Sequence, residues 1–85
     1  MYEIEWRPKA YRQLKKIKER ETLAAIKDAV LELAHWPDRR NIKAITNHKA
    51  CYRLRVGAWR ILFDVHDRIR VILIQEVKKR NERTY

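Results

Sequence analysis

Cysteine, glycine, proline and serine are scarce or missing in this chain of 85 residues, and their scarcity excludes several classes of protein. The single cysteine, Cys51, excludes an internal disulfide and a metal site built from cysteines. Its apolar, alternating surroundings predict a buried, inert thiol. The chain has no serine nucleophile, no glycine-rich phosphate loop and no metal-ligand spacing. With one glycine and two prolines, it has the composition of a folded domain rather than a disordered chain.

Targeting and membrane segments are missing as well. The opening residues, Met-Tyr-Glu-Ile-Glu, lack the basic start and the apolar core of a signal peptide. No apolar run approaches the roughly 20 residues that a membrane span requires. We therefore expect a cytoplasmic protein that has no membrane partner.

Positive charge is what the chain has in excess. It carries 21 lysines and arginines against 11 acidic residues, which gives a net charge of +10. Self-repulsion on this scale costs stability, so the composition points to a polyanionic partner. Nucleic acid is the first candidate and an acidic protein the second. A solvated cationic surface without a specific partner is the remaining alternative.

The first half of the chain predicts a strand followed by a helical hairpin. Residues 2–6 alternate apolar and acidic side chains, as a half-buried strand does. Apolar residues then recur at helical spacing over residues 9–36. Pro8 suits the first helical turn, and Pro37 ends the second helix. Thr22 is a candidate N-cap at the break between the two helices.

The second half predicts three strands. Residues 37–50 have no regular period and are predicted to form a loop. Residues 52–56 alternate strictly, Gly57-Ala58 suits a type II′ turn, and residues 59–65 are predicted as the return strand. A nearly continuous apolar run, residues 69–77, predicts a central strand. The order β-α-α-β-β-β places a helical hairpin on one face of a mostly antiparallel sheet, in an α+β fold.

The two-residue turn fixes which side chains of the hairpin share a face. Arg55 lies opposite Arg60, and Arg53 points to the same side as both. The opposite side is the natural floor for the helices and carries Tyr52, Leu54, Val56, Trp59, Ile61 and Phe63. Like charges that face each other across two strands are destabilising, and such a conflict is typical of a functional site. The planar guanidinium suits phosphate, although a merely solvated outer face is the alternative.

A second basic cluster follows the last strand and contains Lys78, Lys79, Arg80 and Arg83, with Tyr85 after it. If the last strand pairs with residues 59–65, its end lies near Arg60, and Arg80 and Tyr85 join the same basic surface. A frayed basic terminus is the alternative. The three histidines are predicted to be surface residues rather than bases: His35, His48 and His66.

The chain resembles the RelE/ParE toxin superfamily. The resemblance covers nearly the whole chain in element order and is most specific over residues 51–85. There the sequence combines a basic alternating strand, a tight turn, an aromatic-Arg-hydrophobic step and a late basic segment that closes on tyrosine. The residues concerned are Tyr52-Arg-Leu-Arg-Val-Gly-Ala-Trp-Arg-Ile-Leu-Phe63 and Val77-Lys-Lys-Arg-Asn-Glu-Arg-Thr-Tyr85. The resemblance implies a single RelE-like toxin domain over residues 1–85.

A RelE-like toxin is an endoribonuclease that needs no metal or cofactor and cleaves mRNA in the ribosomal A site. The 2′-hydroxyl of one nucleotide attacks the next phosphate, which leaves a 2′,3′-cyclic phosphate and a 5′-hydroxyl. By position, Arg53 and Arg55 match the basic pair that flanks the scissile phosphate, and Arg60 matches the arginine that stabilises the transition state. Arg80 matches the arginine that assists the leaving oxygen, and Tyr85 matches the tyrosine that stacks on or orients the target nucleotide. The other cations expected to bind RNA are Lys78, Lys79 and Arg83.

The resemblance also implies binding partners, and two alternative functions remain open beside the ribonuclease. The expected partners are an acidic, partly disordered antitoxin, the ribosome and mRNA, while promoter DNA is bound only through the antitoxin complex. Some family members carry lysine where this chain has Arg53 and Arg55. Arginine stays protonated, so an electrostatic role suits Arg55 better than that of a base. The main rival is a ParE-like toxin that inhibits DNA gyrase by binding protein. A non-catalytic nucleic-acid-binding domain is less favoured, because Tyr52 and Trp59 are predicted on the core face rather than as stacking platforms.

Overall fold

The computed structural model describes residues 1–37, 41–45 and 50–79. Two helices and a five-stranded sheet form within them, and the predicted α+β fold is confirmed. In chain order the elements are β1 (Glu3–Trp6), α1 (Pro8–Lys15), α2 (Arg20–Glu32) with a 3-10 turn (Leu33–His35), β2 (Ile42–Ala44), β3 (Tyr52–Val56), β4 (Trp59–His66) and β5 (Val71–Lys79).

The sheet has the strand order β1-β5-β4-β3-β2. β1 runs parallel to β5, and all other neighbours are antiparallel. The prediction of a loop over residues 37–50 is wrong at Ile42–Ala44, because this short segment pairs with β3 as an edge strand. Two backbone hydrogen bonds extend the pairing at its ends: Arg55 N–H donates to the Asn41 carbonyl, and Ile45 N–H donates to the Cys51 carbonyl.

The β3–β4 hairpin has the predicted register. Val56 pairs with Trp59, and Arg55 pairs with Arg60. Gly57 has a φ of +57°, whereas Ala58 has no positive φ, as a type II′ turn requires. No atom lies within 4 Å of the position that a Cβ would take at Gly57, so backbone conformation alone favours glycine there.

The helices cover one face of the sheet, where α1 packs against β5 and α2 against β3. Pro8 begins α1, where its missing N–H is not needed. The prediction of Thr22 as an N-cap is wrong, because α2 begins at Arg20 and Glu19 takes the capping position. Neither helix in the described part of the chain is both long and apolar enough to cross a membrane.

The core lies between the two helices and the covered face of the sheet. Trp36 meets both Tyr52 and Phe63 edge-on, with ring centroids 4.9 Å and 5.9 Å away. The buried residues of the core are Ala10, Leu14, Ile17, Ile26, Val30, Leu33, Leu54, Ile61, Phe63, Ile72, Ile74 and Val77. The predicted core face of the hairpin is therefore confirmed, with Tyr52, Val56 and Trp59 packed against this cluster.

Strand β5 begins later than predicted and carries a bulge. Ile69 is 70% exposed, and Arg70 has a φ of +53°, so the strand starts at Val71. Leu62 of β4 pairs with Glu76, but the next residue of β4 pairs with Ile74, which leaves one extra residue on β5. Next to this irregularity, Val77 N–H donates to the Gln13 side-chain oxygen of α1 at 2.7 Å.

Candidate nucleic-acid interface

The uncovered face of the sheet, hereafter the open face, carries a row of three cations. Arg55, Arg60 and Lys78 lie directly opposite one another on β3, β4 and β5. Side chains of directly opposed residues point to the same face, and neighbouring strands are about 4.8 Å apart. We call these three residues the basic row. Fixed strand positions place its charges close together on a rigid surface.

A second set of residues lies two positions along the strands. Lys43 of β2 pairs with Arg53 of β3, and Arg53 pairs with Leu62 of β4. Leu62 is only 4% exposed, although it faces away from the helices. The open face therefore combines two further cations with an apolar floor beside the basic row.

Glu76 completes this second set and ties it to the basic row. Its carboxylate lies 3.1 Å from the Lys9 ammonium of α1 and 3.4 Å from that of Lys78. Burial alone raises the pKa of Glu76, but the two ammonium groups outweigh burial and hold the pKa below its usual value of 4.5. Glu76 therefore stays ionised and holds Lys78, whose side chain is only 16% exposed, in a fixed position.

One carboxylate, that of Asp64, lies further along the open face. Asp64 accepts hydrogen bonds from Cys51 N–H and from the Gln75 side-chain amide, each at 2.7 Å. The prediction of a buried Cys51 is wrong, because the residue is exposed. A hydrogen bond of the Cys51 side chain to the Asp64 carboxylate raises the pKa of the thiol, with smaller contributions from burial and from the carboxylate charge. The thiol therefore remains protonated, and reactive thiolate chemistry is disfavoured.

The structure brings together four of the predicted site residues: Arg53, Arg55, Arg60 and Lys78. Lys79 pairs with Trp59 and so belongs to the helix side of the sheet, at its end. The predictions for Arg80, Arg83, Tyr85 and His48 lie outside the described residues. Among the residues that the structure does describe, no group of three or more His, Cys, Asp or Glu side chains is placed to hold a metal ion.

Sequence reasoning missed Lys43, Lys9 and Glu76 as neighbours of the basic row. Lys43 lies in a strand of three residues, too short to show an alternating pattern. Glu76 follows the extra residue of β5, and a bulge of this kind cannot be located from hydrophobic alternation alone. Lys9 reaches the open face from α1, a contact between elements that no local pattern predicts.

The arrangement suits a phosphodiester. Guanidinium groups bind phosphate oxygens in a fork geometry, and the neighbouring ammonium group adds a point charge. Because the cations occupy fixed strand positions, they need little reorganisation when charge develops on a bound phosphate. The same geometry can also hold a carboxylate of an acidic protein.

Comparison with known families identifies the class. The family described as "ParE toxin of type II toxin-antitoxin system, parDE" matches residues 4–84. The chain therefore belongs to this family, and it is a type II toxin-antitoxin toxin of the RelE/ParE superfamily. The resemblance seen in the sequence is confirmed. A comparison with curated proteins finds no match.

Solved structures share the fold. A chain of the toxin-antitoxin complex RelBE2 from Mycobacterium tuberculosis has a TM-score of 0.77 at 24% identity, with 93% of this chain and 98% of that chain covered. The isolated RelE toxin of E. coli has a TM-score of 0.80 at 16% identity, with coverage of 99% and 89%. The YoeB dimer from Staphylococcus aureus gives 0.72 at 17% identity, with coverage of 91% and 94%. At these identities the likeness establishes the fold.

Proposed function

We propose that this toxin is a ribosome-dependent endoribonuclease that cleaves mRNA in the A site and so inhibits translation. The observation that carries the proposal is the basic row, in which Arg55, Arg60 and Lys78 face the same side of three adjacent strands. Two arginines directly opposite each other, Arg55 and Arg60, cost stability. Cations held in these positions stabilise a phosphate that gains negative charge during cleavage, which gives the destabilising arrangement a function.

In the proposed reaction, the 2′-hydroxyl loses its proton and its oxygen attacks the adjacent phosphorus, while the bond from phosphorus to the 5′-oxygen breaks and that oxygen takes up a proton. The products are a 2′,3′-cyclic phosphate and a 5′-hydroxyl. Arg55 and Arg60 stabilise the charge on the phosphorus oxygens, with Arg53 beside them. These guanidinium groups stay protonated, so they act through charge and not as bases. Following the resemblance, Arg80 assists the leaving oxygen and Tyr85 stacks on or orients the nucleotide, while Lys78 and Arg83 bind the RNA. Lys79 is not included, because it lies on the helix side of the sheet.

A second candidate is inhibition of DNA gyrase by protein binding. The family description, ParE toxin of the parDE system, favours it. A gyrase inhibitor that binds only protein does not require a phosphate-shaped row of cations. We therefore rank it second.

The proposed partners follow from the same surface. Solved chains of this fold come from toxin-antitoxin complexes, such as RelBE2 of Mycobacterium tuberculosis. We propose an acidic, partly disordered antitoxin that covers the open face, and contact with promoter DNA only through that complex. The proposed site of action is the cytoplasm, where ribosomes translate mRNA.

The test is primer extension on an mRNA in a purified translation system. We compare the wild type with Arg60→Ala, and use Arg12→Ala as the matched control because Arg12 is an exposed arginine of α1. The wild type and the control are expected to produce new 3′ ends at A-site codons only when ribosomes are present. Arg60→Ala should cleave about 100- to 1000-fold more slowly, as expected for the loss of one transition-state donor.

Three other outcomes would contradict the proposal in different ways. If Arg60→Ala cleaves at the wild-type rate and its melting temperature is unchanged, Arg60 does not belong to the site. Intact mRNA with stalled translation would indicate a ribosome binder that does not cleave. If the mRNA stays intact, translation is normal and the toxin inhibits DNA supercoiling by purified gyrase, the second candidate function is established.

A further inference from the structure

A small pocket lies beside the basic row, at the edge of the sheet where β2 meets β3. Its volume is about 240 Å³, and the described residues that line it are Asn41, Ile42, Lys43, Arg53 and Arg55. None of these is acidic. Three are cations, two of which the proposed reaction places near the scissile phosphate.

The three cations of this lining share the open face. Lys43 pairs directly with Arg53, and Asn41 accepts the backbone hydrogen bond of Arg55. Directly opposed residues project to the same side of a sheet. The long side chain of Lys43 and the guanidinium of Arg53 therefore reach toward one volume from two strands.

The pocket shares Arg55 with the basic row and extends along the strands away from it. Arg53 stands two residues along β3 from Arg55, which corresponds to about 7 Å, and Lys43 lies opposite Arg53 on β2. Consecutive phosphates of an extended RNA strand are separated by a similar distance. One phosphate at the basic row therefore places a neighbouring phosphate within reach of the pocket.

We propose that the pocket formed by Lys43, Arg53 and Asn41 binds a second backbone phosphate of the same RNA strand, next to the scissile one. This inference rests on the proposed ribonuclease function and extends it with a binding site on edge strand β2. The second phosphate fixes the direction of the RNA across the sheet, so that the 2′-hydroxyl is aligned with the bond that breaks. An acidic protein side chain is the competing occupant, and continuity of the pocket with the basic row favours RNA.

The test uses an mRNA that is cleaved in the ribosomal A site. One backbone phosphate at a time, on either side of the scissile phosphate, is replaced by an uncharged methylphosphonate. Cleavage rates at subsaturating toxin are measured for the wild type, Lys43→Ala and the control Lys27→Ala, which removes an exposed lysine from the helix side. With the wild type and the control, one neighbouring methylphosphonate is expected to slow cleavage roughly ten-fold, as loss of a charged hydrogen bond does. Lys43→Ala should slow cleavage of the unmodified message similarly, and should show no further loss with that methylphosphonate.

Several results would overturn the site. A wild type indifferent to every neighbouring methylphosphonate, or full additivity of the two losses at an unchanged melting temperature, removes it while the ribonuclease function stands. Weaker binding of polyglutamate by Lys43→Ala, with unaltered cleavage, assigns the pocket to an acidic protein. A wild type that cleaves no message removes the proposed function and this site together.

Discussion

At the scale of single residues, the unusual feature is a carboxylate within a basic surface. Glu76 would repel a phosphate if it stood alone. It instead forms ion pairs with Lys9 and Lys78, and these ion pairs hold the two ammonium groups in place. A lysine has a flexible four-carbon stem, and this contact fixes the position of the Lys78 ammonium.

The lowered pKa of Glu76 gives a pH dependence with a defined sign. A carboxyl whose pKa is lower in the folded state stabilises the protein above the unfolded value and loses this effect as the pH falls. Glu76→Gln is therefore expected to lower the melting temperature at pH 7. The difference from the wild type should disappear as the pH falls below the usual carboxyl pKa of 4.5 and through the folded value.

Circular dichroism melts of both proteins across this pH range measure the effect. Glu32→Gln is the control, because Glu32 is an exposed carboxylate of α2, and it should change the melting temperature little at any pH. A difference between wild type and Glu76→Gln that is the same at every pH would contradict the assigned charge interaction.

At the scale of elements, strand parity separates the core residues of the β3–β4 hairpin from the residues of the proposed site. Leu54 is buried in the core and Arg55, the next residue, is exposed on the open face. Because side chains along a strand alternate between its two faces, one residue points into the core and the next points to the open face. The hairpin therefore offers a matched pair of substitutions one residue apart.

Leu54→Ala is expected to lower the free energy of unfolding by about 2–5 kcal/mol, because it leaves a cavity in the core. Arg55→Ala should change it by about 0.5 kcal/mol or less, since it removes an exposed side chain opposite another arginine. Urea unfolding measures both. Equal losses in the two variants would contradict the assignment of faces.

This hairpin could be predicted from the sequence because a two-residue turn leaves no freedom in the register. The same parity places Cys51 with Arg53 on the open face, yet its apolar neighbours suggested burial. The start of α2 was misplaced because Glu19, at the capping position, makes no side-chain capping hydrogen bond. Strand β2 depends on pairing with β3 rather than on a pattern of its own, so tertiary context alone reveals it.

At the scale of the whole molecule, the net charge of +10 opposes folding. The ion pairs of Glu76 remove only part of this repulsion. Salt weakens both the repulsion and the ion pairs. Because repulsion dominates, screening is expected to increase the stability of the folded state.

The melting temperature is accordingly expected to rise by several degrees when NaCl increases from about 10 mM to about 150 mM, as the Debye length shortens from about 30 Å to about 8 Å. Differential scanning calorimetry measures the change. KCl at the same ionic strength is the control and should act equally, because screening does not depend on the ion. A melting temperature that falls in both salts would show that ion pairs dominate over repulsion.

The strand order also governs when the protein can act during its own synthesis. Strand β5 comes last among the described strands, yet it lies between β1 and β4 and carries Lys78 of the basic row. Among the described strands, β1 has β5 as its one neighbour in the sheet. The nascent chain therefore cannot close its sheet or assemble the basic row until β5 has left the ribosome. If the toxin acts through the basic row, as proposed, it cannot act before β5 has left the ribosome, and an antitoxin has until that moment to be present.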